Sequence, residues 1–467
     1  MSTAHNQNPP VVVVVGGGFT GLAAAYQLCL EGIAVTVVEA ATETGGLAAS
    51  FKVASGQRLE RFYHHWFTSD SHIMSLISEL AATDDVILRQ TQTGVYYANT
   101  IYRLASPLDL LRFSALSLPN RIRLGWLAIR ARMVGDWRGL ENVSAESWLK
   151  RLGGNEVYKV VWEPLLRGKF GDLAPEVSAV WIWNKLKLRG GSRGKDGGEQ
   201  LAYFRGGFSA LVLRMEQAIK SRGGRVLTDT AVTNLQVANG RVHAVVTDQG
   251  KLAADAVIVT PAFPIVSQLL TEHTSDSYLR QLAGVKYLAN VCLILELDRS
   301  LSETYWLNVN DPTFPFVGVI EHTNFEPATS YGDRAIVYLS RYLPADDPYY
   351  CLSDSATLEH CLPYLQSMFP AFRREWIMAH YVWRARYAQP VVSREYGASI
   401  PTCCSPVEGV YIASMAQIYP EDRGTNYAVR EGRETAKLVA NWLRNRPIAE
   451  WPVCCPCERP ASKALGH

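Results

Sequence analysis

The residues best suited to moving a proton are two adjacent histidines, His64 and His65, in Tyr63-His64-His65-Trp66-Phe67-Thr68. A neutral imidazole can take or give a proton near neutral pH while a hydride leaves a neighbouring substrate atom. The competing reading is an imidazole packed as filler between Tyr63 and Trp66. Arg167 and Lys169, in Trp162-Glu163-Pro164-Leu165-Leu166-Arg167-Gly168-Lys169-Phe170, offer two nearby cations that could clamp an anionic group. Trp181 and Trp183 follow and could form an apolar or sugar-stacking wall; scaffold is the plainer role for all four. Tyr419, Glu421, Asp422, Arg423 and Asn426 precede the last helix in a loop, where binding residues concentrate.

A hydride needs an acceptor, and the start of the chain offers a place for one. Val11 to Val15 form an apolar run, followed by Gly16-Gly17-Gly18-Phe19-Thr20-Gly21 and then by Leu22-Ala23-Ala24-Ala25. A buried strand thus feeds a glycine turn and a helix. Gly16 permits the turn, Gly18 lets backbone approach a pyrophosphate at the positive helix end, and Gly21 lets helix and strand pack closely. Glu39 and Ala40 end a second apolar strand, where the carboxylate can accept both ribose hydroxyls. The pattern names a dinucleotide; the alternative is a tight turn that binds nothing. A second glycine pair, Thr44-Gly45-Gly46-Leu47, exceeds what a nicotinamide domain needs and suggests that the cofactor continues over this loop.

These sites need a sizeable scaffold. A length of 467 residues predicts two to three domains, and 48% hydrophobic residues suffice for their cores. A net charge of +2 gives no global field for nucleic acid. No apolar run is long enough to span a bilayer, and no signal peptide opens the chain, so the expectation is a soluble cytoplasmic protein. The nine cysteines, with Cys403-Cys404 and the tail Cys454-Cys455-Pro456-Cys457, lack the separated pairs of a zinc site. They read as incidental thiols, with no metal.

The stretch 103–138 carries seven arginines against Asp109 and Asp136. Pro119 suits a first helical turn, and Ile122, Trp126, Ile129 and Met133 recur at helical spacing. Three readings stand: a solvated face over a core stripe, a membrane-surface helix, or a route for an anionic substrate. Residues 105–200 read as mostly helical, ending in a glycine-rich, charged loop over 187–200 that serves as a lid or a plain connection. A helix from Phe208 to Ser221 leads to strands at Arg225–Leu227, 232–237, Arg241–Thr247 and 256–260. A second sheet is expected over 285–395, with strands at 291–297, 316–321, 335–341 and 380–387 and a helix over 354–369. A last strand, Val410 to Ala413, precedes a helix reaching Arg444.

This layout resembles the flavoprotein superfamily of protoporphyrinogen oxidase, phytoene desaturase and the amine oxidases, with UDP-galactopyranose mutase as a relative. Four spans carry the resemblance: Gly16 to Glu39; Gly45-Gly46; Arg205-Gly206-Gly207 through Val257-Ile258-Val259-Thr260-Pro261; and Gly409 to Ala436. It implies FAD and an α/β fold: a discontinuous Rossmann-like FAD-binding domain (1–75, 201–284 and 401–450), an inserted helical substrate- or membrane-facing region (76–200), a mixed-sheet substrate domain (285–400) and a disordered tail (451–467). It implies that Gly45, Gly46 and Leu47 line the pyrophosphate and flavin. Val232 would meet adenine, and the helix opening at Asn426, Tyr427 and Ala428 would point amides at the flavin. Thr260 closes the returning core strand. Ser414 stands where the family usually has Gly-Asp, so Ser414 or Asp422 replaces that contact or the contact is missing. The amine oxidases' lysine is absent from 291–297. The segment around His65 resembles a mutase histidine segment, which places His64 and His65 near the flavin. The expected activity is an FAD-dependent oxidoreductase taking a hydride from a small apolar or anionic molecule, bound through Arg167, Lys169, Tyr419 and Arg423. The alternative is a redox-neutral sugar-nucleotide mutase.

Overall fold

The computed structural model describes residues 9–104, 106–191, 200–445 and 451. Val11–Val15 is a β-branched run without alternation, the pattern of a strand covered on both faces. Val12, Val13 and Val14 are fully buried, and each such side chain contributes about 1.5–3 kcal/mol relative to exposure. The strand pairs in parallel with Ala34–Val38 on one side and Ala256–Val259 on the other. Arg225–Leu227 and Val410–Ile412 complete a five-stranded parallel sheet. Distant stretches of chain therefore build one sheet around the N-terminal strand.

Because the strands run parallel, Gly16, Glu39, Thr260 and Ser414 all emerge at or just beyond its carboxyl edge. Open α/β sheets bind their ligands at that edge. The helix Phe19–Leu30 makes the first crossover, and the long helix Thr425–Asn445 lies against it. The approach is close: a Cβ on Gly432 would stand 2.2 Å from the Thr20 carbonyl oxygen, and one on Gly21 would stand 1.9 Å from that of Gly16. Val232–Ala238, Arg241–Thr247 and Gly250–Ala253 form a separate antiparallel sheet. Its first turn places Asn239 and Gly240 at φ 52° and 76°, as a tight hairpin requires.

The second large sheet has seven strands, ordered Ile377–Pro390, Tyr287–Leu297, Ala335–Leu343, Gly318–Glu321, Trp306–Val309, Thr93–Tyr97 and Thr100–Arg103. Side chains alternate across it. Val291, Leu293, Leu295 and Leu297 share an apolar core with Leu358, Cys361 and Leu365 of the helix Asp354–Met368. The alternate residues Cys292 and Ile294 join the core of the parallel sheet.

Three expectations need correction. Trp306–Val309 is an additional strand, too short for an alternation signal. The helix Ala179–Gly191 takes in residues 187–191 of the expected loop, while 192–199 and the cysteines at 454, 455 and 457 lie outside the described residues. The stripe on Leu118–Met133 does not cover a core: Ile122, Trp126, Ile129 and Met133 are 63%, 53%, 50% and 68% exposed. The buried positions are Asn120, Leu124, Leu127 and Ala131. Both sides of this helix carry apolar residues at helical spacing, so periodicity alone cannot say which faces inward.

Candidate functional site

The glycine turn is built as a cradle. Gly45 donates its amide to the Gly17 carbonyl at 2.8 Å, and Gly18 and Gly45 form an isolated bridge. The two glycine loops therefore lie side by side at the sheet edge. Gly46 sits at φ 58°, and a Cβ there would approach the Gly18 Cα to 3.2 Å. Gly18 is the N-cap of Phe19–Leu30, yet no side chain caps that helix and no acid sits in its first turn, although Phe19 and Thr20 are buried. A buried helix start without a side-chain cap wants an external anion. Glu39 faces the same turn, accepting from the Gly17 amide at 2.7 Å and the Ala41 amide at 2.9 Å. Thr230 donates its amide to the Glu39 carbonyl, which brings the start of Val232–Ala238 beside Glu39 and Ala40. The residues present fit a dinucleotide: a glycine cradle for pyrophosphate, an acid for ribose and backbone for adenine.

A half-buried charge cluster forms a second part. Lys185 Nζ lies 2.5 Å from Asp422 Oδ2, and Trp181 Nε1 donates to Asp422 Oδ1 at 3.0 Å. Burial opposes ionisation of Asp422, but Lys185, Lys169 and Arg423 overcome it and hold the carboxyl well below the usual range. Arg423 donates from Nε to Gln389 Oε1 at 3.0 Å and from a terminal nitrogen to the Tyr342 hydroxyl at 2.6 Å. Lys169 has no carboxylate within ion-pairing distance among the described residues. Its Nζ stands 4.8 Å from the centre of Trp181, 5.1 Å from Tyr342 and 5.7 Å from Phe170. Burial, helped by the charges of Lys185 and Arg423, draws its pKa down to about 7.

His64 joins this cluster. Its Nδ1 lies 2.6 Å from the Phe62 carbonyl oxygen, which can only accept, so Nδ1 carries the proton and Nε2 keeps its lone pair. Burial, with the nearby Arg423 charge, lowers its pKa to about 4 and keeps the ring neutral. Tyr63 has a hydroxyl pKa raised well above normal by burial, then by Tyr342.

The seven-stranded sheet closes the site with a polar face. Register sets Asn290 opposite Tyr342 and Ala385, and Cys292 opposite Ser340 and Trp383. Asn290 donates to the Ser340 hydroxyl at 2.9 Å. Arg61 lies over Trp383, its guanidinium carbon 4.5 Å from the ring centre. Three buried polar atoms here, Asn290 Oδ1, Arg61 Nε and Trp383 Nε1, find no partner among the described residues. Burying such atoms unpaired costs about 1–3 kcal/mol each, so they suit a polar ligand.

The structure thus brings His64, Lys169 and Arg423 together, and it gathers Gly16, Gly18, Phe19, Thr20, Gly21, Glu39, Ala40, Gly45, Gly46, Leu47, Thr260 and Ser414 around the carboxyl edge. Other expected site residues are engaged elsewhere. Arg167 has an exposed side chain paired to Glu163 at 2.9 Å, because it sits one helical turn from that acid. Tyr419 donates to Glu141 at 2.9 Å and packs on Trp137 and Tyr396, inside the core under the helical region. His65 bonds the Tyr305 hydroxyl at 2.9 Å and is ringed by Phe67, Tyr305 and Trp306. The two adjacent rings take different partners: His64 meets the Phe62 carbonyl and the Phe208 ring, and His65 meets Tyr305. Asn426 spends its side-chain oxygen on the Ile73 amide at 3.0 Å, tying down the start of Thr425–Asn445. Tyr427 packs under Arg430, and Ala428 donates its amide to Gly424. Trp183 donates to the Ala131 carbonyl and is scaffold, whereas Trp181 lines the cluster. Asp422 is paired with Lys185.

Sequence reasoning missed Lys185, Arg61, Asn290, Tyr342 and Trp383. The signal was present for Asn290, which with Glu296 is a polar residue in the otherwise largely apolar run 287–297. Tyr342 and Trp383 needed cross-strand register, and Lys185 and Arg61 needed the tertiary contacts to Asp422 and Trp383.

A model of the family described as flavin containing amine oxidoreductase matches residues 19–440. Coproporphyrinogen III oxidase of Staphylococcus aureus (strain NCTC 8325 / PS 47) is 23% identical over 53% of this chain and 60% of its own length. Its counterpart from Bacillus subtilis (strain 168) is 26% identical over 60% of this chain and 66% of its own. The matched part spans less than two thirds of either relative. Among solved structures, cyclohexylamine oxidase from Brevibacterium oxydans IH-35A superposes with a TM-score of 0.70 at 17% identity, covering 94% of this chain and 100% of that one. Reduced UDP-galactopyranose mutase gives 0.72 at 15% identity, covering 93% and 96%. These two likenesses establish the fold.

Proposed function

Because the chain belongs to the flavin-containing amine oxidoreductase family, we propose that it is an FAD-dependent oxidoreductase that takes a hydride from a small anionic organic molecule. FAD is the cofactor the family brings to the cradle, held at Gly16–Gly21, Glu39, Gly45 and Gly46, with Thr260 and Ser414 at the same edge. Bound flavin supplies the two-electron acceptor. The observation that carries the substrate class is the pairing of Lys169, without a carboxylate of its own, with Arg423 over a polar sheet face.

In this reading Arg423 and Lys169 hold the anionic group, and Trp181, Tyr342 and Phe170 wall it from water. Arg423 is fixed from two sides by Gln389 and Tyr342 before substrate arrives, so little ordering cost falls on binding. His64 Nε2 accepts the proton that leaves when the substrate loses its hydride. Lys185 keeps Asp422 occupied, so that carboxylate does not neutralise Lys169 by direct contact. Leucine and phenylalanine would line the sheet face of a site for a wholly apolar substrate, whereas this one presents Asn290, Ser340 and Tyr342.

The test is anaerobic mixing of the flavin-loaded protein with carboxylate-bearing amines, hydroxy acids and porphyrinogens, and with uncharged analogues. Bleaching of the flavin by a carboxylate compound and not by its amide supports the reading. Conversion of a UDP-sugar only after photoreduction, without net oxidation, replaces it with the mutase.

A further inference from the structure

The exposed face of the helix Leu118–Met133 is not explained by the reaction. Ile122, Trp126, Ile129 and Met133 form one row, each at least half exposed, and Leu118 continues it at 57%. The preceding helix, Pro107–Arg112, adds Leu108 and Leu111 at 53% and 51%. Seven large apolar side chains on two consecutive short helices far exceed scattered surface residues. The same stretch, 103–138, carries seven arginines against two aspartates, a net charge of +5 in a chain whose total is +2.

The aspartates are already engaged, Asp109 with Arg103 and Asp136 with Arg138. Arg112, Arg123, Arg130 and Arg132 are exposed and have no carboxylate within ion-pairing distance among the described residues. Arg130 lies over Trp126, its guanidinium carbon 5.9 Å from the ring centre. An apolar row with a tryptophan at its middle, flanked by cations, matches the interface of a bilayer that carries negative headgroups. A second copy of this chain would bring a second +5 face against the first, so charge disfavours self-association. No helix among the described residues is long and apolar enough to cross a membrane, which leaves surface docking as the mode.

We propose that the face formed by Pro107–Arg112 and Leu118–Met133 docks on an anionic lipid bilayer, the apolar row entering the headgroup boundary and the arginines that lack a carboxylate partner meeting lipid phosphates. The face connects to the site by one helix: in Ala179–Gly191, Trp183 donates to the Ala131 carbonyl of the docking helix while Trp181 donates to Asp422. The inference stands apart from the chemistry, since it concerns where the protein sits and not what it oxidises.

The experiment is flotation of the flavin-loaded protein with vesicles of phosphatidylcholine alone or mixed with phosphatidylglycerol, at low and high salt. The expected result is binding to the mixed vesicles, weakened by salt, with little on phosphatidylcholine. The pair Trp126→Glu and Ile129→Glu should lower that binding by about tenfold or more. Replacing Arg112, Arg123, Arg130 and Arg132 by Gln should lower it on the order of 100-fold. Flavin content of each variant reports folding, because none of these side chains is buried. Absence of wild-type binding to mixed vesicles overturns the proposal, as does binding that neither set of variants changes. Sedimentation without lipid gives one further outcome: a dimer dissolved by the glutamate pair would assign the face to a second copy and also overturn it.

Discussion

The two large sheets bury their strands by opposite means. In the five-stranded parallel sheet, Val12, Val13 and Val14 are fully buried, serving opposite faces, and the glycine cradle and Glu39 lie at the carboxyl edge. In the seven-stranded sheet, Leu293 and Leu295 face an apolar core while Asn290, Ser340, Tyr342 and Trp383 share the other side. In the proposed function one sheet would bind with its edge and backbone, the other with the side chains of a face. A backbone site needs small residues at fixed places. A face site needs polar residues that the scaffold must bury, with unpaired atoms such as Asn290 Oδ1 as the consequence.

The sharpest way to break that contrast is at the edge. Gly21→Val would drive a Cβ to 1.9 Å from the Gly16 carbonyl oxygen, and neither backbone can yield. The expected outcome is protein without visible flavin absorbance. Retention of flavin at wild-type stoichiometry would show that the edge does not hold the cofactor.

Arg423→Met tests the face. It removes hydrogen bonds to Gln389 and Tyr342 and one of the charges that stabilise Asp422. Flavin should stay bound, because the edge is untouched. Flavin reduction by an anionic substrate should slow on the order of 100-fold or more, the scale for losing a charge-assisted anchor. Equal loss with an uncharged analogue would remove Arg423 from anion binding.

The difference between the sheets also explains what the sequence revealed. The cradle was legible because its physics is local: Gly16 to Gly21, Glu39 and Gly45-Gly46 lie within one short stretch, and each glycine answers a backbone demand. The face was not, because residues 290, 340, 342 and 383 are joined only by strand register and Arg61 only by its stacking on Trp383. The choice between His64 and His65 was equally invisible. It depends on the partners each ring finds in the folded chain, and both sit in the same motif. The helix Leu118–Met133 misled for another reason: two apolar sides at the same spacing compete, and tertiary packing selects the one with Leu124, Leu127 and Ala131.

Lys169 supplies a smaller effect with a definite sign. Burial lowers its pKa from the ordinary 10.5 to about 7. Between those values the unfolded chain holds a proton that the folded protein has released, so stability rises as pH climbs through the window and falls as pH drops through it. Lys169→Met has no such group. Denaturant unfolding of wild type and variant at several pH values from 7 to 10 should therefore show the difference moving steadily in favour of the wild type. A constant difference would mean that Lys169 titrates normally and is open to water.

Arg167→Ala is the control that separates a cation near the site in sequence from one within it. Arg167 and Lys169 sit on the same helix, Glu163–Phe170, but only Lys169 reaches Trp181 and Tyr342. The Arg167 side chain is 67% exposed and meets Glu163 in an i, i+4 ion pair, with the acid nearer the N-terminus. Such pairs contribute about 0.3–0.5 kcal/mol and are screened by salt. The substitution should therefore shift the denaturant midpoint slightly at low salt and not at high salt, with substrate reduction of the flavin unchanged. A loss of flavin reduction comparable to that of Arg423→Met would place the anion outside the polar face, on the solvent side of this helix, and would dissolve the contrast between the two sheets from its substrate end.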